Sequence, residues 1–329
     1  MDQRVVPGHA SLSEPGPVTS ATWSRMHTMR FSATSAVVCV VVVAGGVALP
    51  SAVPAAPASD RSSPARMWGV TLDDVTHSQP LARSLRRLPA RAIARVVFDP
   101  GMKPASYATA LRRIHPVAEV LGQPVDSSET ASYTVAAYRS RFAAYVTAFP
   151  HAVDVWEIGN EVNGEWTGRP SDVVAKTLAG YRIASAARKP TALTLYYNPG
   201  CADDAAHRMF TWARTQLPPT LRGKPTYVLI SYYPSDCHGY WPSPGRWQQV
   251  FDRLHTLFPH SLVGFGEAGT TRRSVTQAQR AALLHRYDRV RIRGDRFVGG
   301  GFWWSFAEDG SSARRPVWKA LAADMRAAR

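Results

Sequence analysis

Cysteine, acidic residues and long apolar runs are all scarce in this chain of 329 residues, and each shortage narrows what it can be. Three cysteines at positions 39, 201 and 237 leave no close Cys–Cys spacing, so the framework of a structural zinc module is missing. The apolar stretch between Ala36 and Leu49 falls short of the ~20 residues that a spanning helix needs. The turn after the first predicted strand, Thr71-Leu72-Asp73-Asp74-Val75, has no Gly-rich phosphate fingerprint, which argues against a dinucleotide-binding open sheet. With 24 acidic residues against 39 Lys and Arg, the formal net charge is +15, nearly all of it after residue 58. One reading is an acidic polymer as partner. The other is a set of solvated arginines on outer helices, as at Arg83, Arg86, Arg87, Arg112, Arg113, Arg289, Arg291 and Arg293. We take the second, and so expect no nucleic-acid partner.

What is present belongs to a large folded domain: 45% hydrophobic residues, 10% aromatic residues and ten tryptophans. The N-terminus reads as a targeting segment. Arg25 and Arg30 precede the Val-rich core 36–49, and small residues with prolines follow, with Val53-Pro54-Ala55 or Ala56-Pro57-Ala58 suited to cleavage. Residues 1–58 are therefore expected to be an extension plus secretory signal, with translation starting at Met1, Met26 or Met29. Residues 59–65 are expected to be a linker and 66–329 the working domain. The expected product is a secreted monomer that keeps no membrane attachment once the signal is removed.

From Arg66 onward, continuous apolar runs alternate with amphipathic segments. The runs are Arg66–Thr71, Ala92–Phe98, Val117–Leu121, Val153–Gly159, Ala192–Tyr197, Tyr227–Ser231, Leu262–Gly266 and Phe297–Trp304. Unbroken rather than alternating hydrophobicity is what parallel strands covered on both faces show. The amphipathic segments are Gln79–Leu88, Ala105–Ile114, Ser127–Phe149, Ser171–Arg188, Ala202–Leu217, Arg246–Phe258, Thr276–Arg291 and Pro316–Ala328. Eight of each in strict order, over about 260 residues, predict an α/β fold with a single (β/α)8 barrel. In such a barrel every strand delivers its C-terminal end to one face, where active sites are built.

Two runs end in glutamate: Trp156-Glu157-Ile158-Gly159-Asn160-Glu161, and Val263-Gly264-Phe265-Gly266-Glu267. Glycoside cleavage needs one carboxyl to protonate the departing oxygen and a second to attack the anomeric carbon or activate water. An Asn-Glu pair ending the fourth strand and a Glu ending the seventh resemble glycoside hydrolase clan A, the retaining (β/α)8 glycosidases, along nearly the whole domain. The resemblance implies that Glu161 is the acid/base, Glu267 the nucleophile, and Asn160 a hydrogen-bond partner of the sugar 2-hydroxyl. It further implies that Arg95 on the second strand pairs with the nucleophile, and that Tyr232 or Tyr233 stands beside it. From Gly301-Phe302-Trp303-Trp304-Ser305 it implies a tryptophan floor, with Trp304 preferred to Trp303. Gly159–Trp166 and Ile230–Pro234 are similar to segments of the arabinogalactan endo-β-1,4-galactanases of family 53, whereas strand eight and Gly266-Glu267-Ala268-Gly269 look more like families 5 and 39. The galactanase calcium loop has no counterpart here. The implied partner is a β-linked polysaccharide or oligosaccharide, with no metal and no cofactor. A barrel that only binds a glycan or cell-wall polymer is the alternative.

Trp166 and Trp241, in the loops after the fourth and sixth strands, are candidate stacking platforms for sugar rings. Cys201 and Cys237 fall in neighbouring loops on one face, and an exported chain makes a disulfide the default. Free thiols and a metal set of Cys201, His207, Cys237 and His238 are the alternatives. The role of Glu157 is open, and Glu165 is expected to line the cleft.

Overall fold

The computed structural model describes residues 65–272 and 274–329. The expected extension and signal, and all of the expected linker except Ala65, lie outside the described residues. Eight parallel strands close into a barrel in chain order, β8 returning to pair with β1. The strands are β1 (Met67–Leu72), β2 (Ala92–Val97), β3 (Ala118–Gln123), β4 (Val155–Gly159), β5 (Thr191–Tyr196), β6 (Tyr227–Tyr232), β7 (Leu262–Ala268) and β8 (Phe297–Trp303). The first half of the barrel carries helices α1 (Ser78–Arg86), α2 (Ala108–Ile114), α3 (Ser127–Thr130), α4 (Val135–Ala148) and α5 (Pro170–Ala186). The second half carries α6 (Met209–Thr215), α7 (Pro219–Arg222), α8 (Pro244–Leu257), α9 (Gln277–Asp288), α10 (Phe306–Asp309) and α11 (Pro316–Ala327). The expected (β/α)8 barrel is what forms. None of these helices is long and apolar enough to cross a membrane.

The continuous apolar strands are explained by two separate cores. The larger lies between sheet and helices, and takes in Val70, Ala94, Val120, Trp156, Leu193, Ile230 and Phe265 from the strands. The smaller fills the floor of the lumen: Met67, Ile93, Leu121, Val155, Ala192, Leu229, Val298 and Phe302. Side chains on one strand face recur every second residue. Two positions beyond Ile93, Val155, Ala192 and Leu229 therefore come Arg95, Glu157, Thr194 and Ser231, all buried. The lumen thus passes from an apolar floor to a polar layer within one side-chain repeat.

Two predicted helices are broken. The segment 127–149 divides into α3 and α4, because Thr134 accepts from the Ala137 amide and starts a new helix. The segment 202–217 opens as a short 3-10 turn, Ala205–His207, before α6. The first break places a helical turn, headed by Ser127, at the mouth of the barrel. The eight arginines expected on outer helices are exposed, but several sit just past the helices: Arg87 after α1, and Arg289, Arg291 and Arg293 after α9.

Strand β8 crosses β7 more closely than any side chain allows. Gly300 has φ +102°, and a Cβ there would stand 1.9 Å from the Phe265 carbonyl oxygen. Both the left-handed backbone and the contact require glycine. Gly300→Ala should therefore cost at least about 2 kcal/mol of stability in denaturant unfolding. Gly245→Ala, where a Cβ meets nothing within 4 Å, should stay within about 0.5 kcal/mol of the parent.

Candidate active site

Strands β4, β6, β7 and β8 and the loops after them bring Glu161, Glu267, Tyr233 and Trp304 to one cleft of about 400 Å³, with Trp166, Tyr196 and Asp236 also on its walls. Glu161 is the second residue past β4, and it holds a left-handed backbone at φ +45°. Only Arg188 and His238 share that feature among the described non-glycine residues. Such a conformation costs a residue with a Cβ on the order of 1–3 kcal/mol and concentrates at sites where a side chain must be aimed. The turn is closed by the Gly164 amide donating to the Glu161 carbonyl (2.7 Å), and the Val162 amide bonds the Thr194 carbonyl of β5 (3.2 Å).

The Glu161 carboxyl receives two hydroxyls. Ser127 donates to Oε2 (2.7 Å) and Ser231 donates to Oε1. Burial, with the neighbouring charge of Glu267 acting in the same direction, pushes Glu161 up to about 8 against the opposing pull of the two serines. Near neutral pH it therefore carries its proton.

Glu267 sits in the opposite environment. The Arg95 guanidinium pairs with Oε2, Tyr233 donates to Oε1 (2.6 Å), and the Asn160 amide approaches Oε2 at 3.4 Å. Burial works against the charge on Arg95, but Glu267 and Glu157 more than offset it and leave the guanidinium more firmly protonated than usual. Tyr233 is driven well above its ordinary range by burial and then by Glu267, so its hydroxyl remains a donor.

Behind this pair lies Glu157, whose role the sequence leaves open. It accepts from Thr194 and, at 3.3 Å, from Asn160, and Arg95 stands 3.6 Å away. Burial raises its pKa, against the pull of Arg95. Asn160 is fixed from the other side, its Oδ1 accepting the Ser127 amide (2.9 Å).

Of the expected site residues, Glu161, Glu267, Asn160, Arg95, Tyr233, Trp304 and Trp166 come together. Trp304 stands beside Arg95, whose guanidinium carbon is 5.3 Å from the ring centre. Trp166 is 41% exposed and its indole donates to Ser127 Oγ (3.1 Å).

Three expected residues do not join the cleft. Tyr232 is turned to the outer core, its hydroxyl bonded to the Tyr240 carbonyl and its ring against Tyr197 and Trp247. Trp303 is buried and donates to Asp309 (2.8 Å). Trp241 packs edge-on against Tyr287 and Trp247 under the Arg286 guanidinium, so it is no sugar platform. Tyr232 and Trp303 belong to the shell between sheet and helices, because neighbouring residues on a strand face opposite ways, and Trp241 is folded onto that shell by its loop.

Cys201 and Cys237 form a disulfide that ties the loops after β5 and β6. This takes both thiols out of the alternative metal set. His207 is bonded through Nδ1 to the Asn163 carbonyl (3.0 Å). Among the described residues no group of three His, Cys, Asp or Glu is placed to hold a metal ion. Glu165 accepts the Asp204 amide (2.7 Å) and so braces the loop after β4 against the loop after β5. Sequence reasoning missed Ser127, Ser231, Tyr196 and Asp236. Ser231 alone had a signal, as the residue just before the two tyrosines that end β6.

No protein-family model and no curated protein sequence matches this chain. Solved structures do. GH5_18 from Streptomyces cattleya, in complex with Manb1-4GlcNAc, is 14% identical with a TM-score of 0.55, covering 80% of this chain and 81% of that one. A GH5-4 broad specificity endoglucanase from an uncultured bacterium is 12% identical with a TM-score of 0.51, covering 79% and 86%. GH5_18 from Bifidobacterium longum is 11% identical with a TM-score of 0.50, covering 79% and 78%. At these identities the likeness is one of fold: this chain shares its barrel with family 5 glycoside hydrolases.

Proposed function

We propose that the protein is an exported retaining glycosidase acting on β-linked glycans, with Glu161 as acid/base and Glu267 as nucleophile. One observation carries the reading: two buried carboxyls face one cleft in opposed environments, Glu161 pushed up to about 8 and Glu267 paired with Arg95. Carboxyls whose surroundings separate them in this way divide into an acid and a charged partner.

In the first step a Glu267 oxygen bonds to the anomeric carbon as the bond from that carbon to the leaving oxygen breaks. The Glu161 proton passes to the leaving oxygen, so the departing sugar leaves as an alcohol. The glycosyl ester on Glu267 is then attacked by water. Glu161, now a carboxylate, takes the water's proton, and Glu267 is released with its negative charge restored. Arg95 and Tyr233 compensate that charge at both ends of the cycle. Asn160, held by Ser127 and Glu157, would present its amide to the sugar hydroxyl next to the reacting carbon. Trp304 and Trp166 offer apolar faces to sugar rings.

Glu267→Ala should abolish turnover of galactan, mannan or glucan by at least about four orders of magnitude. Glu161→Ala should lose roughly 10²- to 10⁴-fold on the same glycans, and least on aryl glycosides with acidic phenols, which depart without a proton. Reducing-sugar release and phenol absorbance read both. Binding of glycans by wild type and variants alike, with turnover in none, would show a glycan-binding barrel instead.

The pH dependence has a definite sign. Glu161 must hold its proton for the first step, so kcat/KM should fall as pH rises past about 8. Ser231 favours the charged form of Glu161, so Ser231→Ala should move this alkaline limb to higher pH. Folding responds to the same group. Its pKa is raised from 4.5 in the folded state, so its contribution is intact below that value and is lost as pH climbs towards 8. Unfolding curves of Glu161→Gln should accordingly lose stability less steeply than the parent over this range.

A further inference from the structure

A second concavity, of about 740 Å³, opens beside the catalytic cleft between the loops after β5 and β6 and helices α6 and α8. Consecutive residues divide the two: Tyr196 lines the cleft and Tyr197 lines the cavity. The Cys201–Cys237 disulfide fixes the two loops that border both. Arg208, Arg246 and Arg253 line the cavity, and no acidic side chain does. Among the described residues none of the three arginines forms an ion pair. Arg246 donates to the neutral Gln249 amide oxygen (3.2 Å) and lies close to the equally neutral Tyr197 hydroxyl, and Arg253 is laid over the Phe210 ring at 4.1 Å, which orients its plane without neutralising it. On the inner wall Tyr197 is 4% exposed, and the Arg246 guanidinium acts on its buried hydroxyl. Tyr240, 44% exposed at the rim, offers an aromatic face to a sugar.

Three unpaired guanidiniums, an aromatic wall and a volume in the range of small-ligand sites select an anion carried on something with a flat apolar face. The geometry points to a binding site for an anionic glycan, with a uronate carboxylate or a phosphodiester seated between Arg208 and Arg246 and a sugar ring against Tyr240. An extended basic groove for nucleic acid is the poorer match, because the charge is gathered in one concavity. Binding here does not require Glu161 and Glu267 to be catalytic.

The test uses the full chain with Glu267→Ala, so that no ligand is turned over, titrated calorimetrically with a uronate trisaccharide, its neutral counterpart, a glycerol-phosphate oligomer and a short DNA duplex. The uronate or the glycerol-phosphate ligand should bind at least about tenfold tighter than the neutral sugar, and weaken from 50 to 200 mM salt, as exposed charge pairs do. The tighter of the two names the source of the anion. Adding R208Q/R246Q should remove at least about tenfold of this affinity. R83Q/R86Q on α1, with the same change of charge, should leave it unchanged, and matching thermal midpoints confirm folding. No preference over the neutral sugar, equal losses in both double variants, or DNA bound as tightly with the same arginine dependence would each overturn the assignment. Turnover of neutral glycans by wild type and by R208Q/R246Q is read separately, so failure of the glycosidase reading and failure of this site give different results.

Discussion

The guanidinium of Arg95 is the charge around which the lumen is organised. It is 1% exposed, in the layer above an apolar floor, where an uncompensated cation would cost several kcal/mol. Its compensation comes from β7 through Glu267 and from β4 through Glu157. Three glutamates in this space cannot all be charged against one arginine. Burial pushes Glu161 and Glu157 towards their protonated forms, while Glu267 keeps the direct contact with the guanidinium. The difference in environment between the two cleft carboxyls thus follows from which strand end reaches Arg95. It needs no further device.

That layer is left partly unsatisfied. Among the described residues Arg95 Nε and Nη1 and Glu157 Oε2 have no hydrogen-bond partner, although the residues around them are closely packed. Orphaned polar atoms at this depth normally count against stability. Combined with the left-handed backbone of Glu161, they mark the place where folding and function ask for different things. The cost is borne by a barrel whose remaining layers are apolar and whose mouth is cross-braced. The disulfide joins the loops after β5 and β6, Glu165 ties the loop after β4 to Asp204, and Thr271 bonds Asp236 across the loops after β7 and β6.

The barrel and the two strand-end glutamates were legible because both rest on strand periodicity, whereas Asn160, Arg95, Tyr233 and Trp304 were reached through the resemblance to clan A. Continuous apolar runs mark strands covered on two sides, and a carboxylate that interrupts the end of such a run stands out. Adjacent pairs were harder. Tyr232 or Tyr233, and Trp303 or Trp304, differ only in which face of the strand each takes, and a one-residue slip exchanges them. Here the pairing of β6 with β7 shifts between Ile230 and Ser231, and that of β7 with β8 between Val263 and Phe265. Irregularities of this kind carry no mark in composition. Ser127 was illegible for another reason. Its place depends on α3 being a separate turn capped by Asp126, with Thr134 starting α4 inside a stretch that the amphipathic pattern carries through, so local caps decide where a distant hydroxyl meets Glu161. Trp241 looked available only because it lies in a loop, and the loop folds it back onto Tyr287.

The distribution of charge around the mouth bears on what kind of glycan can be held there. The cleft is lined by Glu161, Asp236 and Glu267 and by no basic residue among those described. Arg95 lies beneath it, already committed to Glu267. A sugar bearing its own carboxylate at the reacting position would set another anion against these groups, with no basic residue in the described lining to meet it. The neighbouring cavity has the opposite character, with three arginines and no acid. The two environments share the loop after β5, so neutral and charged parts of one ligand would be sorted between them by electrostatics alone. A neutral residue would be favoured at the carboxyls, and an acidic substituent at the arginines. The surplus of arginine in the sequence is thus of two kinds: the eight on and just past the outer helices are exposed, while Arg208, Arg246 and Arg253 are gathered around one cavity beside the cleft.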